Sequence, residues 1–311
     1  MHSLKNSPIP TIPFSKYLDD GYQRKIWDLF NNNSHFSNVD ALIFGFLPGD
    51  FQFFLQFNKS IIVDAAHRID LFRCSRNETL DIFQEIRDME TQINRTNVIG
   101  AHYLYDVEYI EYYTGVRPIL LSATQLDSIG EKYSGKNGKI FINGHVSPLE
   151  MINLLKGKFE IIHSDNYSGY NYKSISEMKA VIYLPYSISN YKFIDHYAIG
   201  IPIFSPTPRF AVELKLYIDR TVAGNKYYCP NMEPIEKEKN SPYSNELFWI
   251  QFAEVYNLPC IILFDSWDEL SIQLSETDFN GVSKCMSQAN KWRKFEALQN
   301  WCWVTNKLSD K

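Results

Sequence analysis

Val181-Ile-Tyr-Leu-Pro-Tyr-Ser-Ile-Ser-Asn-Tyr-Lys-Phe-Ile-Asp-His-Tyr-Ala-Ile-Gly-Ile-Pro-Ile-Phe-Ser-Pro206 decides the fold class. A β-branched run from Val181 to Leu184 ends at Pro185, and Ser187 or Ser189 then stands where a side-chain oxygen can cap a helix. Gly200 is placed to stop that helix, and Ile201 to Phe204 begins a second apolar strand. Strand, turn, helix and strand in this order form a βαβ unit, whose free N–H groups at the helix start favour an anion.

The same alternation extends in both directions. A helix is predicted over Tyr17 to Phe30, before a polar loop. Strands follow at 40–45, 60–64, 96–101 and 116–121, with helices at 78–92 and 103–114 between them. Phe51 to Phe57 reads as a short helix or an extended apolar segment. Residues 123–138 are polar, include Ser134-Gly-Lys-Asn-Gly-Lys139, and read as a connection between domains. The pattern restarts with a strand at 139–143, a helix at 148–155 and a strand at 159–163. Beyond the opening segment come a helix at Phe210–Ile218, an exposed polar insertion at 220–245, a helix at Leu247–Tyr256, a strand at Cys260–Phe264 and mainly helix from Trp267. Strands alternating with helices in two runs predict an α/β protein with two parallel, helix-covered sheets. The boundaries expected are 1–125 and 138–285, with a C-terminal helix at 286–311 packing back on the first domain.

The 311 residues, 45% hydrophobic and 22% charged, suffice for a full core. A net charge of −5 and a pI near 5.8 argue against nucleic acid or an anionic membrane as the main partner, so any phosphate site must be local. No apolar run approaches the ~20 residues of a membrane helix, and the expectation is a soluble, cytoplasmic chain. Five cysteines without a CxxC pair point to free thiols. An aromatic share of 15% suits hydrogen-bonding clefts and dense cores alike.

Several common catalytic signatures are absent, namely GxxxxGK[ST], HExxH, GxSxG, GxGxxG and an Asp-x-Asp pair, so neither a metal nor an organic cofactor is expected. Asp195-His-Tyr-Ala-Ile-Gly-Ile-Pro202, however, resembles the Glu-Ala-x-Ala-x-Gly-x-Pro segment of glycosyltransferases with the GT-B architecture. That resemblance implies two Rossmann-like domains facing across a cleft. It also implies a UDP-, GDP- or dTDP-linked sugar donor, a glycan or glycoconjugate acceptor, and Asp195 on the donor ribose. Retaining members often carry a second Glu eight residues earlier. Ser187 stands there, which favours inversion. Leu184–Ser189, Phe248–Tyr256 and Phe264–Leu270 are similar to glycosyltransferase-like sequences of algae, large algal viruses and some invertebrates.

The residues themselves suggest how such chemistry would be supported. Ser187, Ser189 and Lys192 surround one predicted helix start and suit a diphosphate, although serines there equally serve as plain caps. Gly144 and His145 follow the first strand of the second run, where a small residue lets backbone approach a ligand and an imidazole can donate to it; a structural role is the alternative. Tyr183 or Tyr186 can stack on a base, His163 and Asp165 can border it, and Arg209 is a further cation or a surface residue. A general base from the first domain falls to Asp50 or His67 at predicted strand ends, with His102 and Asp106 in reserve. Arg68 is suited to an ion pair with Asp64 or Asp70. Two rival readings remain: a nucleotide-sugar epimerase, and a non-catalytic module binding glycan or protein.

Overall fold

The computed structural model describes residues 38–309 except 46–47, 58, 67, 71–75, 93–95, 125–127, 129, 145–147, 165–169, 187, 189 and 217–245, together with Asp28 and Asn32. His67, His145, Asp165, Ser187 and Ser189 therefore lie outside the described residues, as do nearly all of the helix expected at Tyr17–Phe30 and the whole insertion at 220–245.

The protein is α/β, with two sheets whose strands all run parallel. The first has the order β1-β2-β3-β4, from Ala41–Phe44 (β1), Ser60–Ala65 (β2), Val98–Ala101 (β3) and Ile119–Leu120 (β4). Arg76–Thr91 (α1) and Leu104–Thr114 (α2) make the crossovers, and the apolar segment after β1 is a 3-10 helix, Pro48–Phe54. β2 is buried along its whole length, in keeping with the apolar run Ile61–Val63 at its centre. Its side chains still alternate. Ile61, Val63 and Ala65 face the main core, whereas Ile62 joins Val98, Leu121 and Val304 on the opposite face.

The second sheet has the order β6-β5-β7-β8-β9, built from Ile140–Asn143 (β5), Ile161–His163 (β6), Ala180–Tyr183 (β7), Ile203–Pro206 (β8) and Ile262–Phe264 (β9). Its helices are Leu149–Leu155 (α3), Tyr172–Ser176 (α4), Tyr191–Ile199 (α5), Pro208–Glu213 (α6), Glu246–Ile250 (α7), Glu254–Asn257 (α8) and Trp267–Glu276 (α9). The chain leaves β5 for one edge and returns at β7 toward the other. The C-terminal ends of β5 and β7 thus form a topological switch point, the position where open α/β sheets bind ligands.

Within the opening segment, both strands and the helix form where the apolar pattern puts them. The cap differs. Asn190, in extended conformation, accepts a hydrogen bond from the Phe193 N–H at 3.3 Å and so occupies the position read for Ser187 or Ser189. Gly200 closes α5 at φ 81°, and its N–H returns to the carbonyls of His196 and Tyr197. The stretch at Leu247–Tyr256 is two short helices, α7 and α8, rather than one, and α6 ends at Glu213, short of Ile218.

The polar stretch after β4 is tied to the second sheet's elements. Tyr133 N–H donates to the Ile199 carbonyl at 3.1 Å, Ser134 to Ser176 at 2.8 Å and Asn137 to Glu177 at 3.0 Å. A last helix, Phe279–Ser309 (α10), spans both sheets. Its early turns pack on α5, and Trp301, Val304 and Leu308 cover the second face of the first sheet. Cys260 and Cys285 are joined by a disulfide, with Cα atoms 6.0 Å apart, so the expectation of free thiols fails for this pair. The reason is tertiary: α10 brings Cys285 to the loop before β9, an approach that spacing in sequence does not reveal. No helix among the described residues is long and apolar enough to cross a membrane.

Candidate functional site

The C-terminal ends of β2 and β3 carry the most concentrated chemistry. Asp64 pairs in register with Gly100, so their side-chain positions share a face, and His102 follows two residues later. Gly100 has no side chain to intervene. His102 Nε2 reaches to 2.9 Å from Asp64 Oδ1, with its N–H turned somewhat off the oxygen. Gly45, at the end of β1, lies against the same carboxylate; a Cβ there would sit 4.0 Å from Asp64 Oδ2.

The other ring nitrogen meets the second sheet's elements. Tyr191, the first residue of α5, places its hydroxyl 3.4 Å from His102 Nδ1 and donates to the Ala66 carbonyl at 3.3 Å. The Tyr191 ring stands perpendicular to the imidazole, with centroids 6.5 Å apart, and packs edge-on to Tyr103. Burial raises the Tyr191 hydroxyl to about 12, so it stays a neutral donor. The tautomer with its proton on Nε2, toward the carboxylate, has Nδ1 as the lone-pair nitrogen.

Two further carboxyls close the region from behind. Asp106, in the first turn of α2, is pushed up to about 8, first by burial and then by Asp70 and Glu254, with Arg68 opposing. Its Oδ2 has no hydrogen-bond partner among the described residues. Glu254, at the start of α8, is raised to about 7 by burial, against the pull of Arg293. Arg293, from α10, lies 3.8 Å from Glu254 Oε1 and donates to the Ala123 carbonyl and, at 3.3 Å, to Asn290 Oδ1. Trp249 of α7 completes this wall, its ring 5.7 to 5.9 Å from those of Tyr105, Tyr109 and Tyr112 on α2. Asp106 and Glu254 are proton-bearing groups near neutral pH, held where first-sheet and second-sheet elements touch.

The predicted donor residues gather elsewhere along the same edges. Gly144 follows β5 and lies against Leu184, which follows β7; a Cβ there would sit 2.9 Å from Leu184 Cβ and 3.1 Å from its carbonyl oxygen. Its lack of a side chain thus serves strand-end packing at the switch point. Tyr186 is half-buried two residues beyond Leu184, whereas Tyr183 is buried against Phe193, with ring centroids 5.0 Å apart. Lys192, exposed on the first turn of α5, holds its ammonium 5.4 Å above the Tyr170 ring. Asp195, one turn on, is buried and accepts a 2.8 Å hydrogen bond from the Tyr172 hydroxyl. His196 beside it is lowered to about 3, by burial and then by Lys192, and contacts the Tyr170 hydroxyl at 3.2 Å.

Asp50 lies in the first turn of the 3-10 helix after β1 and is half-buried between the buried Gly49 and Phe51. Arg68 pairs with Asp70 rather than Asp64, through two bonds of 2.5 Å. Arg209 is exposed and bound to Glu213 and Asp265 at 2.6 and 2.7 Å. Tyr191, Glu254 and Arg293 were not singled out from sequence, and Asp64 only as a possible partner of Arg68. For Asp64 a signal existed: it is the lone charge ending the apolar run of β2. No protein-family model and no curated protein sequence matches the chain.

Proposed function

We propose that the chain is a glycosyltransferase of GT-B type, with one Rossmann-like domain built on each sheet and the substrates held in a cleft between their C-terminal edges. It would move a sugar from a nucleotide-sugar donor to an acceptor hydroxyl with inversion. The observation that carries this reading is the meeting of the Asp64–His102 pair with Tyr191 at the start of α5. A base oriented by a carboxylate on one sheet there touches the helix that would hold the leaving group on the other.

In the reaction, His102 Nδ1 takes the acceptor O–H proton in place of its contact with Tyr191, and the acceptor oxygen forms a bond to the anomeric carbon. The bond from that carbon to the phosphate oxygen breaks, and its electron pair leaves with the nucleoside diphosphate. Lys192 and the positive N-terminal end of the α5 dipole offset the charge that develops. Donor ribose at Asp195 requires the Tyr172 hydroxyl to share or yield its hydrogen bond. Among the base candidates, His102 is favoured because it has both an orienting carboxylate and a contact to the second sheet's elements.

A panel of UDP-, GDP- and dTDP-sugars tests the reading by thermal shift and turnover. The expected result is a rise in melting temperature with one donor class, and transfer to an acceptor. His102→Asn should lower transfer by roughly 10²- to 10⁴-fold while keeping the thermal shift; Asp195→Asn should weaken the shift. Release of an altered sugar without acceptor would point to an epimerase. No response to any donor would sink the enzyme reading.

A further inference from the structure

The net charge of −5 conceals an uneven distribution. α10 carries Lys284, Lys291, Arg293, Lys294 and Lys307 against a single acid, Glu296. Arg293 is turned inward with Met286, Asn290, Ala297 and Val304, the buried stripe of the helix. The outward side is apolar to a degree unusual for a charged helix. Trp292 is 63% exposed, Phe295 51%, Leu298 66% and Trp303 48%. They recur at helical spacing across about three turns, and the Trp292 and Phe295 rings meet edge to face at 6.2 Å.

Beside these rings runs a groove of about 1230 Å³ between α10, the end of α5 and the segment around Lys132. Lys132, Lys284, Lys291 and Lys294 line it, with Glu131 as the one acid among the described residues. None of these lysines has an ion-pair partner among the described residues. Lysines flanking exposed tryptophan, phenylalanine and leucine on one helix face match the interface of an anionic bilayer: the rings enter at headgroup level and the ammonium groups meet lipid phosphate and carboxylate. The surplus of acid elsewhere would repel such a surface and leave this face as the one that docks. The exposed leucine weighs against a polysaccharide, which offers no acyl layer to receive it.

We infer that the outward face of α10, centred on Trp292 and Phe295 and flanked by Lys284, Lys291 and Lys294, docks the protein peripherally on an anionic lipid bilayer. Docking is independent of the transfer chemistry proposed above. The test is co-sedimentation of the full chain with phosphatidylcholine vesicles, with and without phosphatidylserine. The expected result is binding to the phosphatidylserine vesicles only, released by high salt. Lys284→Gln, Lys291→Gln and Lys294→Gln together should weaken binding about 100-fold, from about fivefold per lysine. Trp292→Ala with Phe295→Ala should weaken it at least about tenfold, and Lys156→Gln, at the C-cap of α3, should leave it unchanged. All these side chains are exposed, so an unchanged melting temperature verifies the fold of each variant. No sedimentation with anionic vesicles, equal binding to neutral ones, or full binding by the Trp292/Phe295 or the lysine variant would overturn the proposal. It also fails if the face instead dimerises the chain or captures a soluble acidic polysaccharide while vesicles remain unbound.

Discussion

Raising the pH should destabilise this protein through Asp106 and Glu254. Both carboxyls are raised in the folded chain, to about 8 and about 7, chiefly by burial. The folded state therefore keeps protons that the unfolded state releases at ordinary carboxylate values, and stability is lost as pH rises toward the folded-state values. His196 acts in the opposite direction. Lowered to about 3, it contributes stability that is complete above the usual value of 6.5 and lost as pH falls below it. The interval from pH 6.5 to about 8 consequently isolates the carboxyls. At about 1.4 kcal/mol per pH unit per proton, Asp106 should cost about 2 kcal/mol across it and Glu254 up to about 1 kcal/mol.

Urea unfolding followed by tryptophan fluorescence at a series of pH values measures that loss. Asp106→Asn mimics the protonated acid and cannot ionise, so its stability should stay within about 1 kcal/mol over the same interval. Glu254→Gln should remove only the smaller part. If the wild type shows no decline, or Asp106→Asn declines as steeply, the two carboxyls ionise normally and the buried polar junction is wrongly described.

The disulfide and the switch-point glycine give two more tests. Cys260–Cys285 closes a separation of 25 residues, for which loop-closure entropy predicts about 3.5 kcal/mol, so reductant or Cys260→Ser should lower the unfolding free energy by that order. An unreduced sample in which both thiols react with a thiol reagent would refute it. Gly144→Ala drives a Cβ to 2.9 Å from Leu184 Cβ and should destabilise by about 1–3 kcal/mol with no ligand present. A glycine needed only for ligand approach would instead leave the melting temperature unchanged.

Local chemistry made most of the scaffold readable. The β-branched runs at Ile61–Val63 and Val181–Tyr183 and the helix stops at Gly115 and Gly200 depend on neighbours in sequence, and their elements form within a few residues of the expected bounds. The N-cap of α5 was one position harder. Three cap-forming residues, Ser187, Ser189 and Asn190, stand close together, and the apolar register of Phe193, Ile194 and Tyr197 against the core selects the last. Short α4 escaped notice because its signal is a capping box between Asn171 and Ser174 inside a polar stretch, without apolar periodicity.

The polar junction was only partly legible, and the reason is register. His102 follows the end of β3 and Asp106 lies in the first turn of α2, a strand-end region that α/β topology alone marks as a place for ligands. Asp64 becomes the partner of His102 only because β2 and β3 pair Asp64 with Gly100, a match between residues 36 positions apart. Tyr191, Glu254 and Arg293 arrive from segments up to about 200 residues away, and their meeting is set by how α5, α8 and α10 pack. Net charge has the same blind spot, because a single sum records no distribution. As a single sum it argues against an anionic surface, whereas the helical phase of α10 sends Arg293 inward to Ala123 and leaves its lysines beside Trp292 and Phe295 outside. For both the candidate base and the candidate docking face, the decisive quantity is which side of an element a residue occupies. That follows from packing partners far along the chain, so composition and motif spacing carry little of it.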